Sequence, residues 1–275
     1  MKKTKYFPLI PLLRGDKGVC SGRQVKYFLL AVLTVFLIPC IACGAEEITV
    51  SAAASLTNAM TKAGQSFENA NPGIKVIFNF AASDALLQQI KQGAPVDVFA
   101  SADQKSMDMA ETEKLVLPET RKNFVKNTLV LAVPADSALT VKSPEDLKQI
   151  GIKKIALGNP ETVPAGRYTR ESLTAYGLWE TLSDKFIYAN SVRQVLDYLI
   201  RGEVDTGFVY ATDAAVAGEK VKVILEIGKH KPVIYPIALL SASGKKETAL
   251  RFRDFILSDA GQAVFAEFGF SKPEK

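Results

Sequence analysis

Short apolar strands alternate with amphipathic helices along most of this 275-residue chain. Residues 48–50, 95–99 and 128–134 have the composition of strands, and helical patterns cover residues 165–176 and 192–201. This alternation is typical of βαβ units, which lay consecutive strands side by side and cover the sheet with helices. The sequence therefore predicts an α/β fold built mainly from parallel strands.

Two of the strand-to-helix junctions share a local sequence in which small residues precede a serine. Ser55 follows the alanines of residues 52–54, and Ser83 follows Ala81 and Ala82. N–H groups in the first turn of a helix have no partner within the helix, and small residues let a ligand approach them. Serine is also a common helix cap, so each residue alone fits a purely structural role. Their repetition favours a site that holds an anion without a charged side chain.

Two further helix starts and one strand end are candidates for the same site. A loop ending in Pro164 leads through Ala165 into a helix, and Val192 begins another helix behind Ser191, its expected cap. Tyr210 ends a strand at the carboxyl edge of the sheet, where ligands of open α/β sheets bind. The sequence leaves open whether its hydroxyl faces a ligand or bonds to the backbone in the core.

The first 45 residues differ from the rest of the chain and are typical of a secretory signal. Basic residues precede an apolar run over residues 27–43, and small residues follow it. We predict that residues 1–45 are a signal peptide that directs the remainder to the periplasm. Two alternatives stay open: the apolar run is retained as a membrane anchor, or Cys43 carries a lipid that anchors the mature chain.

Charge and residue content exclude several classes of function. The leader holds seven basic residues and one acidic residue, so the rest of the chain has a net charge of −1 and gives no sign of a nucleic-acid partner. All three cysteines lie in the leader, which leaves the remainder without a thiolate nucleophile or a cysteine metal site. The one histidine, His230, lies between two lysines, and no hydrolase, nucleotide-binding or zinc motif is present. The sequence predicts a protein that is not an enzyme.

With these residues identified, the chain beyond the leader closely resembles the periplasmic molybdate-binding proteins of ABC importers, within the type II periplasmic binding-protein fold. The resemblance rests on motifs that are specific in combination, at residues 52–57, 93–103, 158–166, 207–210 and 269–270. It implies two lobes, each a mainly parallel sheet flanked by helices, with a ligand cleft between them. The expected bounds are residues 46–127 and 233–275 for lobe 1 and residues 128–232 for lobe 2.

No flexible linker separates the two lobes in the sequence. The lobes are therefore expected to pack together or to share strands. The long strand predicted at residues 233–240 is expected to pair with the one that begins at Thr128.

The resemblance also implies which residues bind the ligand. Members of the family hold an oxyanion with two serines of one lobe and with backbone amides and a tyrosine hydroxyl of the other. The matching residues in this chain are Ser55, Ser83, Ala165, Val192 and Tyr210. Asp84 lies beside this set, and a carboxylate would repel an anion. We therefore expect Asp84 to face solvent or the dipole of its own helix.

The protein implied by the resemblance is an extracytoplasmic receptor that binds molybdate or tungstate and delivers it to an ABC permease with its ATPase. It needs no cofactor and no direct metal-ion ligand, because the molybdenum arrives as molybdate. It is expected to be a monomer that meets the membrane only through the permease or a lipid anchor. Molybdate at neutral pH is a tetrahedral dianion without a proton, so a site made only of hydrogen-bond donors suits it.

Several alternatives stay open at the level of the sequence. A sulfate or thiosulfate receptor of the same fold would use the same donors, since cavity size rather than charge separates sulfate from molybdate. An iron receptor would want several tyrosines together with histidine or carboxylates, and only Tyr210 is well placed. An exported ester hydrolase would need a general base and usually a metal ion.

Overall fold

The computed structural model describes residues 45–274. The predicted signal peptide up to residue 44, including Cys43, lies outside the described residues. In the part of the chain that is described, no helix combines the length and the apolar character needed to cross a membrane.

The strands between residues 45 and 274 form two sheets of five strands each. The strands are β1 (Glu46–Ala53), β2 (Ile74–Ala81), β3 (Val98–Ala100), β4 (Lys122–Asn127), β5 (Leu129–Pro134), β6 (Ile155–Gly158), β7 (Phe186–Ala189), β8 (Thr206–Tyr210), β9 (Val221–Glu226) and β10 (Val233–Leu239). The first sheet has the order β2-β1-β3-β10-β4, and the second has the order β7-β6-β8-β5-β9. Strands β5 and β8 are buried at every residue, as their largely apolar sequences require.

Helices cover both sheets. The α-helices of the described residues are α1 (Thr57–Ala70), α2 (Ser83–Lys91), α3 (Gln104–Thr112), α4 (Pro164–Ala175), α5 (Trp179–Leu182), α6 (Val192–Ile200), α7 (Ala211–Ala217), α8 (Lys246–Leu257) and α9 (Asp259–Glu267). Helix α1 packs on β2 and on α9, and α8 packs on β10, so the C-terminal helices belong to the first sheet. Helices α4 and α6 both pack on β6 and β8 of the second sheet.

The sheets differ from the sequence-based expectation in the direction of their strands. Pairings β1–β2 and β1–β3 are parallel, whereas β10 is antiparallel to both β3 and β4. The second sheet repeats this arrangement, with β6 parallel to β7 and β8, and β5 antiparallel to β8 and β9. Both sheets are therefore mixed rather than mainly parallel. The expected pairing of the strand at residues 233–240 with the one that begins at Thr128 is also wrong, because β10 lies in the first sheet and β5 in the second.

The antiparallel strands arise where the chain passes from one sheet to the other. Thr128 alone separates β4 from β5, and residues 227–232 connect β9 with β10. The carboxyl ends of the parallel strands point towards these connections. A strand that starts at a connection, as β5 and β10 do, therefore runs antiparallel to them. The lobe bounds predicted at residues 127/128 and 232/233 fall at these two connections. Below, the first lobe means the described residues up to 127 and from 233, and the second lobe means residues 128–232.

One close backbone contact fixes the start of α4 against the end of β6. A Cβ atom added to Gly166 would lie 2.0 Å from the carbonyl oxygen of Gly158 and 3.0 Å from the carbonyl carbon of Asn159. Both neighbours are backbone atoms, which cannot move aside as the end of a side chain can. Glycine at position 166 therefore allows α4 to begin directly above the strand.

We expect Gly166→Ala to lower the free energy of unfolding by about 1–3 kcal/mol, because the added methyl group forces α4 away from β6. The matched control is Gly244→Ala, since a Cβ at Gly244 has no atom within 4 Å and its backbone does not adopt positive φ. Urea unfolding of the purified variants measures both effects. Equal stability of the two variants would show that the contact between α4 and β6 adapts freely.

Candidate functional site

A small cavity lies where the two lobes meet. Its walls come from the carboxyl ends of β1, β2 and β8 and from the first residues of α2, α4 and α6. The volume open to the centre of a water-sized sphere is about 10 Å³, which is close to what a single water molecule occupies. The cavity therefore fits only a ligand of a few atoms.

All five residues predicted to bind the ligand line this one cavity. They are Ser55, Ser83, Ala165, Val192 and Tyr210. Ser55 and Ser83 come from the first lobe, and the other three come from the second lobe. The remaining wall residues are alanines, one valine and one proline, so the polar groups stand in an apolar, low-dielectric surrounding where each hydrogen bond is strengthened.

Helix starts supply backbone donors to the cavity from both sides. Ser83 is the first residue of α2, Ala165 is the second residue of α4, and Val192 is the first residue of α6. Amides at these positions have no acceptor within their own helix, and the helix dipole adds partial positive charge there. These three amides belong to three different helices, one of the first lobe and two of the second.

The two serines do not cap their helices, which removes the structural role that the sequence left open for them. The Ser83 hydroxyl oxygen accepts a hydrogen bond from the Ala102 N–H at 3.0 Å. The Ser55 hydroxyl lies 3.0 Å from the hydroxyl of Tyr235. Ser191, by contrast, accepts a hydrogen bond from the Gln194 N–H at 3.2 Å, and its predicted role as the cap of α6 is confirmed.

Tyr210 places its hydroxyl group at the cavity, and this hydroxyl has no hydrogen-bond partner among the described residues. Its hydroxyl is buried and makes no hydrogen bond to any described residue, so the alternative of a hydroxyl bonded to the backbone does not hold. Burial raises the pKa of Tyr210 well above its ordinary value, which keeps the hydroxyl protonated. A buried donor left unpaired is costly, and a bound acceptor would satisfy it.

An inter-lobe ion cluster lies beside the cavity, formed by Arg167, Asp84 and Asp103. Arg167 Nε donates to Asp103 Oδ2 at 2.8 Å, and Arg167 Nη1 donates to Asp84 Oδ2 at 2.8 Å. Arg167 comes from α4 of the second lobe, and both carboxylates come from the first lobe. Of the two positions expected for Asp84, solvent is wrong, because its side chain is 14% exposed and paired across the lobes. The other holds, since Asp84 lies in the first turn of its own helix. Nothing in the local sequence of Arg167 indicated these ion pairs.

A second buried ion pair, Arg193–Asp213, lies near Tyr210. Arg193 Nε is 2.7 Å from Asp213 Oδ1, and Arg193 Nη2 donates to the Ser55 carbonyl oxygen at 3.4 Å. Burial raises the pKa of Asp213 to about 6, against the opposing effect of Arg193. Arg193 thus links the second lobe to the residue that bears one of the cavity hydroxyls, and sequence analysis missed this role as well.

An enzyme or a metal site would use groups of metal-binding side chains or side chains that titrate near neutral pH. No group of three or more histidine, cysteine, aspartate or glutamate side chains that could hold a metal ion occurs between residues 45 and 274. None of the residues that line the cavity carries a side chain that titrates near neutral pH. His230 lies in the loop between β9 and β10, where its Nε2 contacts the Ile227 carbonyl oxygen at 2.8 Å.

Comparisons with known proteins agree with this architecture. The family described as bacterial extracellular solute-binding protein matches residues 48–271. The molybdate-binding protein ModA of Escherichia coli (strain K12) is 38% identical over 231 residues, which cover 82% of this chain and 89% of that protein. The Bacillus subtilis (strain 168) protein YvgL, which carries the name of an ABC transporter substrate-binding lipoprotein, is 35% identical over 254 residues, covering 88% of this chain and 96% of its own.

Solved structures share the fold. The periplasmic molybdate-binding protein of Azotobacter vinelandii superposes with a TM-score of 0.74 at 24% identity, covering 82% of this chain and 100% of that chain. The two-lobed type II periplasmic binding-protein fold expected from the sequence is thereby confirmed, with mixed sheets. On its sequence match over residues 48–271, the chain belongs to the bacterial extracellular solute-binding protein family.

Proposed function

We propose that this protein is an extracytoplasmic receptor that binds molybdate or tungstate and delivers it to an ABC permease with its ATPase. The observation that carries the proposal is a cavity in which every polar wall group can donate a hydrogen bond: two serine hydroxyls, the unpartnered Tyr210 hydroxyl and amides of helix starts. Related chains named molybdate-binding proteins support the choice of ligand.

The donor set suits an anion that carries no proton. Hydrogen bonds to a charged group contribute roughly 1.5–3 kcal/mol each, so several of them supply the ~8–12 kcal/mol of micromolar to nanomolar binding after ordering costs. A protonated anion would bring an O–H group that needs an acceptor. None of the cavity side chains is a carboxylate or an amide, which disfavours such a ligand.

Cavity size narrows the ligand class further. A volume of about 10 Å³ for the centre of a water-sized sphere leaves no space for a sugar, a peptide or an organic cofactor. It favours a compact tetrahedral ion.

The remaining features of the proposed function concern place and partners. We propose that residues 1–45 are removed as a signal peptide or, in the alternative, that the mature chain begins at a lipidated Cys43. A relative named as a lipoprotein supports the second form. The mature chain acts as a monomer, with residues 46–127 and 233–275 as one lobe and residues 128–232 as the other. Mass spectrometry of the mature N-terminus distinguishes the two forms.

Calorimetric titration of residues 46–275 with molybdate, tungstate and sulfate tests the proposed ligand. We expect one ion per chain, tight binding of molybdate and tungstate, and little heat with sulfate. This preference rests on the similarity to proteins named molybdate-binding, because the charge of the ions does not distinguish them. Tight sulfate binding would keep the fold and change the ligand. Absence of binding by all three ions would contradict the proposed function and favour an iron receptor or an enzyme.

Tyr210→Phe tests the unpartnered hydroxyl. We expect the Kd for molybdate to rise about ten- to hundredfold, the loss of one hydrogen bond to a charged group. The free protein should unfold at the same or a higher temperature, because the variant removes a buried polar atom that has no partner. Thermal unfolding and calorimetry measure the two effects separately, and an unchanged Kd would exclude Tyr210 from the site.

Arg167→Gln tests the inter-lobe ion cluster. Without the guanidinium, Asp84 and Asp103 remain unpaired beside a bound anion, and we expect the molybdate Kd to rise about tenfold or more. The matched control is Arg170→Gln on the same helix, whose partner Glu161 is 73% exposed. An exposed pair contributes ~0–1 kcal/mol, so its Kd should stay within about threefold of the wild-type value. Equal effects of both variants would contradict a specific role for the cluster.

A further inference from the structure

Tyr235 is a buried tyrosine that lies beside the cavity but is not one of the residues that line it. It lies in β10 with no exposed surface, and its hydroxyl has partners on two sides. One partner is the Ser55 hydroxyl at 3.0 Å, and the other is the Asn127 side-chain Nδ2 at 3.3 Å. The directions of these two hydrogen bonds follow from the groups around them.

The Asn127 amide is oriented by the backbone. Its Oδ1 lies 2.9 Å from the Thr128 N–H, which can only donate, so the oxygen end of the amide must face that group. Its Nδ2 therefore points to the Thr212 hydroxyl at 2.8 Å and to the Tyr235 hydroxyl at 3.3 Å. Because an amide NH₂ carries only donors, Tyr235 accepts from Asn127.

The proton of Tyr235 must then go to Ser55. A tyrosine hydroxyl has one proton. Ser55 Oγ lies within hydrogen-bond distance of the Tyr235 hydroxyl at 3.0 Å, whereas the neighbouring Tyr210 hydroxyl makes no hydrogen bond to any described residue. Burial raises the pKa of Tyr235 above its ordinary value, which keeps this proton in place at neutral pH. Once Ser55 accepts this hydrogen bond, its own proton is free for the cavity. Ser83 is in the same condition, because it accepts from the Ala102 N–H.

We infer that Tyr235 is a positioning residue for specificity: together with Asn127 it forces the Ser55 hydroxyl to act as a donor to the bound anion. This hydrogen-bond chain, Asn127 to Tyr235 to Ser55, removes the Ser55 hydroxyl as an acceptor in the cavity. It therefore discriminates against oxyanions that carry a proton, such as hydrogen phosphate. The inference rests on the proposed function, since it concerns how the same site selects its ion.

Aromatic packing holds the Tyr235 ring so that only its hydroxyl proton can turn. Phe270 and Phe124 meet the ring edge to face, with centroid distances of 5.6 Å and 6.5 Å. Tyr210 lies against it at 6.0 Å. Phe270 is placed by Gly269, whose φ of +85° lies in the region that glycine adopts without strain. The motif at residues 269–270 therefore acts on the site through Tyr235.

The test is a double-mutant cycle on Tyr235→Phe and Ser55→Ala, with molybdate affinity measured by calorimetry. We expect Tyr235→Phe alone to raise the Kd about tenfold, the scale of one charge-directed hydrogen bond. In the Ser55→Ala background the same change should alter the Kd by less than about twofold, because Tyr235 acts only through Ser55. Tyr198→Phe is the matched control. It removes a hydroxyl that also has a hydrogen bond, from Gln194 Nε2 at 2.7 Å, and should leave the Kd unchanged.

Competition between molybdate and inorganic phosphate at pH 7 measures the ratio of the two affinities. A loss of packing alone would weaken both ions and leave this ratio unchanged. In Tyr235→Phe the Ser55 hydroxyl can turn and accept, so phosphate affinity should hold or rise while molybdate affinity falls. Asn127→Ala is the second variant, should Tyr235→Phe fold poorly. It frees the Tyr235 proton to turn, and it should shift the molybdate-to-phosphate ratio in the same direction by a smaller factor.

Three results would overturn the inference: an unchanged molybdate Kd in Tyr235→Phe, effects of the two substitutions that multiply in the double variant, or equal weakening of molybdate and phosphate. Failure of the wild-type chain to bind molybdate would instead contradict the proposed function. The two failures are therefore separate, because the first set is measured only against a wild-type chain that binds.

Discussion

The rest of the structure depends on removing a small anion from water in a cavity that offers it no cation. In such a place each donor must already point inward and each lone pair of the protein must already be occupied, since an acceptor aimed at the ion would repel it. The two serines meet this condition, and Tyr210 adds a hydroxyl that is free to donate. Ser83 accepts from the Ala102 N–H, Ser55 contacts Tyr235, and the Tyr210 hydroxyl has no partner among the described residues. The apolar wall then raises the strength of every hydrogen bond that forms.

The same condition explains why the ionised groups near the cavity are paired. Asp84, Asp103 and Asp213 lie in or near the walls of the cleft, and each is held by an arginine of the second lobe. Isolated carboxylates there would oppose the anion, whereas ion pairs present little net charge. Two of these pairs also join the lobes, because Arg167 comes from α4 and its partners come from the first lobe. Charge neutrality near the site and contact between the lobes thus depend on the same side chains.

Sequence analysis predicted the cavity residues that follow a local sequence pattern, and it missed the residues that only the folded chain brings to the cavity. Ser55, Ser83, Ala165 and Val192 were recognisable because a strand end, small residues and a helix start follow one another within a few positions. Tyr235 and Arg167 carry no such signature. The partners of Tyr235 lie 108 and 180 positions away along the chain, and the two aspartates paired with Arg167 lie 64 and 83 positions away. The direction of β10 was missed for the same reason. A buried apolar strand has the same sequence pattern whether its neighbours are parallel or antiparallel. Its direction in the sheet is set by the two connections between the sheets.

The hydrogen-bond chain to Ser55 begins where the two lobes are joined. Asn127 ends β4 directly before Thr128, the single residue that leads into β5, and Asn127 Nδ2 also contacts Thr212 in α7 of the second lobe. The orientation of the Asn127 amide is thus set by backbone and side chains on both sides of the junction. The donor direction of Ser55 therefore depends on contacts at the junction between the lobes as well as on groups of the first lobe.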